Sequence, residues 1–143
     1  MLENSLLQEN ISNNILVMVI DDQSTMRKIV RQLLSQIGQF NVIEAANGIE
    51  AMELLSDNSR HRIPDVIISD LHMDGMDGIE LCNKLRLSKK PGVKEIPVLI
   101  LTGENDDFIL KVSQQVGAFR ILAKPLGSPE LKGHLSAALG FEI

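Results

Sequence analysis

Five positions carry the side chains most able to do chemistry together. Asp21 and Asp22 follow the apolar run Ile15 to Ile20, and Asp70 follows Asp65 to Ser69. Thr102 follows Ile96 to Leu101, and Lys124, with Pro125 behind it, follows Phe119 to Ala123. Each alone has an ordinary explanation, since aspartates cap helices, threonine ends strands and a Lys-Pro pair makes a solvated turn. Jointly they set three carboxylates, a hydroxyl and an ammonium at the ends of apolar segments. Three carboxylates in one cleft repel, so at least one is driven toward protonation unless a cation compensates. An all-oxygen donor set suits Mg²⁺, a hard and mostly hydrated ion, better than zinc, which would draw on His or Cys. With the metal on Asp21 or Asp22, Asp70 is free to attack phosphorus and form an acyl phosphate. Phosphoryl transfer is catalysed mainly by positioning and by cations on the equatorial oxygens. Those roles are open to Mg²⁺ and Lys124, with Thr102 donating a hydrogen bond. His72 lies close by but is not required for this chemistry.

The elements that must position these residues are legible as a repeated strand and helix. Ile15 to Ile20 is a continuous apolar run of strand length, the form of a strand buried on both faces. Met26, Ile29, Val30, Leu33, Leu34 and Ile37 recur at helical spacing, with Ser24 placed to cap this helix and Gly38 to stop it. Asn41 to Ala46 reads as a strand, and Asn47 with Glu50 opens a helix through Leu55 as a capping box. After the polar loop Asp57 to Pro64 comes the third strand, Asp65 to Ser69, and Asp77 with Glu80 caps the next helix. The loop Lys89 to Glu95 leads to a fourth strand, Ile96 to Leu101, and Ile109, Val112 and Val116 mark a fourth helix ended by Gly117. Phe119 to Ala123 is the fifth strand. Ser128-Pro129-Glu130 starts a fifth helix whose inward face is Leu131, Leu135 and Ala138, up to Gly140. Five βα units imply an α/β fold: a doubly wound, five-stranded parallel sheet with helices on both faces. Ligands of such folds bind beyond the carboxyl ends of the strands, where strand order reverses. That is where the five polar positions fall.

Composition excludes several classes. The 143 residues carry 14 Lys and Arg against 19 Asp and Glu, a net charge of −5, with 44% hydrophobic residues. One domain with a sizeable core is expected over residues 15–143, after a polar leader at 1–14 in which Leu2, Leu6, Leu7 and Ile11 sit at helical spacing. The acidic balance and the lack of a basic block argue against direct nucleic-acid binding. The six-residue apolar run Ile15 to Ile20 is far short of the roughly 20 residues of a membrane helix, and no basic and apolar signal segment opens the chain. A single cysteine, Cys82, excludes an internal disulfide framework and a multi-Cys zinc site. Cytoplasmic localisation without membrane insertion is the expectation. Cys82 is expected in the core, and His61 and His134 in solvent.

The motifs in order resemble one family. Asp21-Asp22, Asp70 with Met73, Gly75, Met76, Asp77 and Gly78 behind it, Thr102-Gly103-Glu104 and Lys124-Pro125 are together similar to the receiver domain of bacterial response regulators. The resemblance runs from about Ile15 to Leu139, and Asp22-Gln23-Ser24-Thr25-Met26-Arg27 resembles the chemotaxis-type single-domain regulators in particular. It implies a flavodoxin-like (βα)5 fold with strand order 2-1-3-4-5. Asp70 becomes the phosphoacceptor, Asp21 and Asp22 the Mg²⁺ site together with Asp70 and the main-chain carbonyl of His72, Thr102 the switch hydroxyl, and Lys124 the phosphoryl-binding cation. The chain also departs from the pattern. Ile121 stands where most receivers carry Tyr or Phe, so the rotating aromatic switch is absent or modified. Phe119, two residues earlier, is expected in the core rather than as a replacement. Asp74 stands where proline is frequent. His72 and Glu104 occupy the positions that flank the phosphoryl group in the family, and are expected to set its lifetime.

Competing motifs fail on their own residues. Asp70-x-His72-x-Asp74-Gly75 begins like an EF-hand loop, but its third position is His72 and its twelfth is Leu81, which leaves no bidentate ligand. Haloacid-type phosphatases need a second aspartate two beyond the first, where this chain has Gln23. No glycine-rich turn follows the first strand, which argues against dinucleotides. The expectation is therefore a stand-alone receiver, not an enzyme beyond self-catalysed phosphoryl acceptance and autodephosphorylation. Its phosphoryl group would come from a histidine kinase or a histidine phosphotransfer protein. Its downstream target would meet the face of the fourth helix, fifth strand and fifth helix, including Lys111, Gln114, Arg120 and Lys132. The alternative is a receiver-like interaction module that signals without phosphate.

Overall fold

The computed structural model describes residues 14–57, 62–103 and 107–143. Strands β1 (Leu16–Ile20), β2 (Asn41–Ala45), β3 (Val66–Asp70), β4 (Val98–Thr102) and β5 (Arg120–Ala123) alternate with helices α1 (Ser24–Ile37), α2 (Gly48–Ser56), α3 (Gly78–Arg86), α4 (Asp107–Gln115) and α5 (Ser128–Leu139). All strand pairs are parallel and the order is β2-β1-β3-β4-β5. The α/β doubly wound sheet read from the sequence is the observed one. Because β1 pairs with both β2 and β3, the chain leaves β1 in one direction and returns on its other side. The strand order reverses at the carboxyl ends of β1 and β3, where helices on opposite faces part to leave a crevice.

Side-chain parity along the strands builds two cores. Met18 and Ile20 of β1 pack with Ile67, Val98 and Ile100 under Ala51, Leu55, Leu81, Cys82 and Leu85, beneath α2 and α3. Val17 and Val19 point the other way and meet Ile68, Leu99, Leu122, Val30, Leu34, Leu131 and Leu135, beneath α1 and α5. Every residue of β1 is buried, as a central parallel strand covered on both faces requires. Each fully buried Val, Leu or Ile contributes roughly 1.5–3 kcal/mol over its exposed state, so the inner strands are held rigidly and their ends become fixed points.

The element ends differ from the sequence reading in several places. Ser24 is the first residue of α1, not its cap; the cap position is Gln23, whose side chain makes no capping bond. Asp21 accepts the Gln23 N–H instead, so the first carboxylate of the site orders the start of the helix. Asn47 and Asp77 do cap α2 and α3, each accepting the N–H of the glutamate three residues on at 2.8 Å. Asp65 precedes β3 and accepts the Leu16 N–H at 2.8 Å while pairing with Arg62. Phe119 is 41% exposed, not core, with the Arg120 guanidinium 5.4 Å over its ring. It lies in the bend just before β5, outside the strand's alternation. His134 is half-buried rather than solvated, its Nδ1 3.0 Å from Arg120 Nη1. Cys82 is fully buried. The leader at 1–14, except Asn14, lies outside the described residues, as do His61 and Glu104. None of the described helices is long and apolar enough to cross a membrane.

Candidate functional site

Asp21 and Asp22 directly follow β1 and Asp70 ends β3, so the topological switch point is lined by carboxylates. One oxygen from each lies within 4.8 Å of the others. Asp21 is 4% exposed, and its Oδ1 accepts the Gln23 N–H at 2.9 Å. Burial pushes its carboxyl above the ordinary range and the Gln23 N–H pulls it back; Asp70 then raises it, Lys124 lowers it and Asp22 raises it again. Lys124 crosses from the end of β5 and places Nζ 2.7 Å from Asp70 Oδ1. The Lys124–Pro125 peptide is cis. Thr102, 2% exposed at the end of β4, stands one residue beyond Leu101, the register partner of Asp70, and its carbonyl accepts the Lys124 N–H at 2.9 Å. Two of the five polar positions, Asp70 and Thr102, are the last residues of their strands, and Asp21 and Lys124 directly follow theirs, so all four hang on one sheet. Sequence separation is removed by topology.

Three carboxylates against one ammonium leave two negative charges in a partly buried crevice. The donor set is hard oxygen throughout, and its charge matches a small divalent cation such as Mg²⁺. The residues present therefore fit that ion. His72, the second residue after Asp70, is exposed, as is Asp74.

The backbone around Asp70 is built to close tolerance. Gly78 opens α3, and its N–H donates to the Leu71 carbonyl at 2.9 Å. A Cβ there would stand 2.6 Å from the Asp70 carbonyl oxygen and 3.3 Å from Leu71 Cα, so only glycine lets α3 start against the end of β3. The loop between them turns at Gly75 with φ +82° and buries Met76, which lies within 3 Å of where a Cβ on Gly48 would be. Ser69 Oγ donates to the Asp70 carbonyl at 2.9 Å. On the other side, Arg27 reaches back from α1 to the Asp21 carbonyl at 2.6 Å and pairs with Glu44 of β2 at 3.0 Å. Gly78 and Arg27 were visible in the sequence only as members of motifs. Their work, spacing and bracing the acidic loops, needs the three-dimensional approach of segments far apart in the chain.

Residues 17–136 match the family model described as the response regulator receiver domain. The chain belongs to that family. The receiver is 35% identical over 124 residues to chemotaxis protein CheY1 of Helicobacter pylori (strain J99), covering 87% of this chain and 96% of that protein. The structure of the Vibrio cholerae chemotaxis protein CheY4 superposes with a TM-score of 0.76 at 31% identity, covering 87% of this chain and 98% of that one. The receiver domain of the Pseudomonas aeruginosa sensor histidine kinase PA1611, solved with magnesium in its active-site cleft, shares the fold with a TM-score of 0.75 at 22% identity, over 88% and 98% of the two chains. These relatives support the chemotaxis-type receiver suggested by the sequence motifs. In this receiver Ile121 is half-buried and packs against the α2–α3 core, so no aromatic ring sits at that position of β5.

Proposed function

We propose that this receiver is a cytoplasmic phosphorylation switch that accepts a phosphoryl group on Asp70 and changes which protein it binds. The observation that carries the reading is the Lys124 ammonium 2.7 Å from Asp70 Oδ1, beside two more carboxylates at the strand-order switch. The donor would be a phosphohistidine of a histidine kinase or phosphotransfer protein. An Asp70 carboxylate oxygen attacks phosphorus, the P–N bond breaks, and the imidazole leaves with the electron pair. Asp21, Asp22, Asp70 and the His72 carbonyl would hold Mg²⁺, which supplies positive charge to the transferring group when bound. Lys124 is within reach of a phosphoryl group on Asp70 and offsets part of its charge. Thr102, whose carbonyl is tied to the Lys124 N–H, offers the hydroxyl that would hydrogen-bond the new oxygens. A displacement of Thr102 is passed directly to β5. The output face is then α4, β5 and α5, where Lys111, Gln114, Arg120 and Lys132 are exposed. His72 and Glu104 would set the lifetime of the acyl phosphate.

Intact-mass spectrometry after incubation with acetyl phosphate tests the acceptor. A phosphoryl adduct that needs Mg²⁺, is lost in EDTA and is lost in Asp70→Asn is expected. Folded protein that gains no adduct from acetyl phosphate or from a phosphorylated phosphotransfer domain would instead make the chain an interaction module that works without phosphate.

A further inference from the structure

Asp21 is held at three points. Its N–H donates to the Ala45 carbonyl of β2 at 3.2 Å, its Oδ1 accepts the Gln23 N–H at 2.9 Å, and its own carbonyl accepts Arg27 Nη1 at 2.6 Å. The third contact comes from the first turn of α1, through a side chain only 18% exposed. The same guanidinium donates from Nε to Glu44 Oε1 at 3.0 Å, and Arg31, one helical turn on, reaches Glu44 Oε2 at 3.4 Å. Glu44 lies on β2 in register with Val19, one residue before Ala45. Helix α1 is therefore tied at once to the edge strand and to the backbone of the first acidic residue. Arg27 stands next to a crevice that sets three carboxylates against Lys124. Acting as a counter-charge, it would compete with a bound cation. Yet its guanidinium faces the Asp21 carbonyl and not a carboxylate of the crevice, and the Glu44 carboxylate matches its charge. What remains is geometry. Mg²⁺ demands near-ideal octahedral placement of its ligands, and groups that fix ligands from behind commonly carry about 10–100-fold of a site's affinity.

We propose that Arg27, held by Glu44, is a positioning residue for the metal. It fixes the Asp21 backbone so that the carboxylate meets Mg²⁺ in place, and it does so by its two-pronged geometry and not by its charge. Arginine suits this because its rigid, planar fork offers Nε and Nη1 to two acceptors on different segments; lysine carries the same charge without the fork. The inference rests on the proposed Mg²⁺ site. It goes beyond that site by assigning part of its affinity to α1 and β2, neither of which supplies a ligand.

An amide-shift NMR titration of Mg²⁺ into the whole chain reads the affinity directly, and melting midpoints read stability on the same samples. Arg27→Gln is expected to weaken Mg²⁺ binding about tenfold, although it removes a positive charge from beside the site. Arg27→Lys, the milder change, should weaken it to a similar extent. Arg86→Gln deletes a brace of the same chemistry at the far end of α3; it should lower the midpoint and leave Mg²⁺ affinity at the wild-type value. Acetyl-phosphate labelling should follow the metal: in Arg27→Gln the Mg²⁺ concentration for half-maximal rate rises about tenfold, while the rate at saturating Mg²⁺ returns to that of wild type. Unchanged or tighter Mg²⁺ binding by Arg27→Gln, full affinity in Arg27→Lys, or an equal loss in Arg86→Gln overturns the proposal. A wild type that shows no saturable Mg²⁺ shift overturns the metal site itself, and this inference with it, so the two failures are told apart.

Discussion

At the scale of single residues, the site stores charge that folding alone does not neutralise. Asp21 is buried next to Asp70 and Asp22, so its ionised form is penalised in the folded state at any pH above its raised pKa, and protonation relieves that penalty. Asp21→Asn keeps an Oδ1 to accept the Gln23 N–H while removing one charge. In EDTA its thermal midpoint should exceed wild type by a few degrees, on the order of 1 kcal/mol for a domain of this size. The rise in midpoint that Mg²⁺ gives wild type, by binding only the folded state, should be lost. A variant that melts below wild type in EDTA would show that the carboxylate is satisfied without metal. His134 has the opposite linkage. Burial and the Arg120 guanidinium hold its imidazole below the ordinary range, against a smaller pull from Glu130. The folded chain binds this proton less tightly than the unfolded one, so stability present above the unfolded value of about 6.5 is lost as pH falls through it. Melting curves between about pH 7.5 and 5.5 should fall less steeply for His134→Gln; parallel slopes would remove His134 from the acid response.

Elements carry the tolerances that single residues need. The approach of α3 to the end of β3 is set by Gly78, where a Cβ would meet backbone atoms rather than a flexible side chain. Gly78→Ala should cost about 1–3 kcal/mol as overpacking, and should also slow acceptance of phosphate because the carbonyl it strikes is that of Asp70. Gly133, on the exposed face of α5, has nothing within 4 Å of a built Cβ. Gly133→Ala should stabilise by about 0.5–1 kcal/mol through helix propensity alone. Chemical denaturation of the pair checks both signs, and a common sign would refute the steric account. Arg86 makes a similar brace at the far end of α3, donating to the carbonyls of Gly117, Lys94 and Ile96 between 2.8 and 3.0 Å. It ties the turn after α4 to the loop before β4, and so fixes where the proposed output face begins.

For the whole molecule, the acidic crevice and the basic α4–β5–α5 face lie on one sheet, linked through Thr102 and Lys124 at the ends of adjacent strands. Lys111→Glu with Arg120→Glu should weaken capture of a downstream target by one to two orders of magnitude while acetyl-phosphate labelling of Asp70 proceeds at the wild-type rate. Unchanged capture in a pull-down with the phosphorylated variant would move the output to another face.

The sequence by itself determined the alternation of strands and helices, because apolar runs and helical spacing are local patterns, and it determined which polar residues close the strands. Asp21, Asp70, Thr102 and Lys124 were legible because each interrupts a nearly pure apolar run. The α2 and α3 caps were legible because Asn47 and Asp77 reach a backbone N–H only three residues away. Ser24 misled because the helix opens one residue earlier: the N–H groups of Met26 and Arg27, which a serine cap would accept, go to the Gln23 carbonyl. Phe119 misled because strand parity was carried one residue past the point where β5 begins. Only the tertiary structure decided that Lys124 lies on Asp70 rather than in solvent, that Gly78 must lack a side chain, that Arg120 rests on His134, and that the Ser113 hydroxyl is buried without a partner. Those facts depend on how residues far apart in sequence approach one another, and no local pattern encodes that distance.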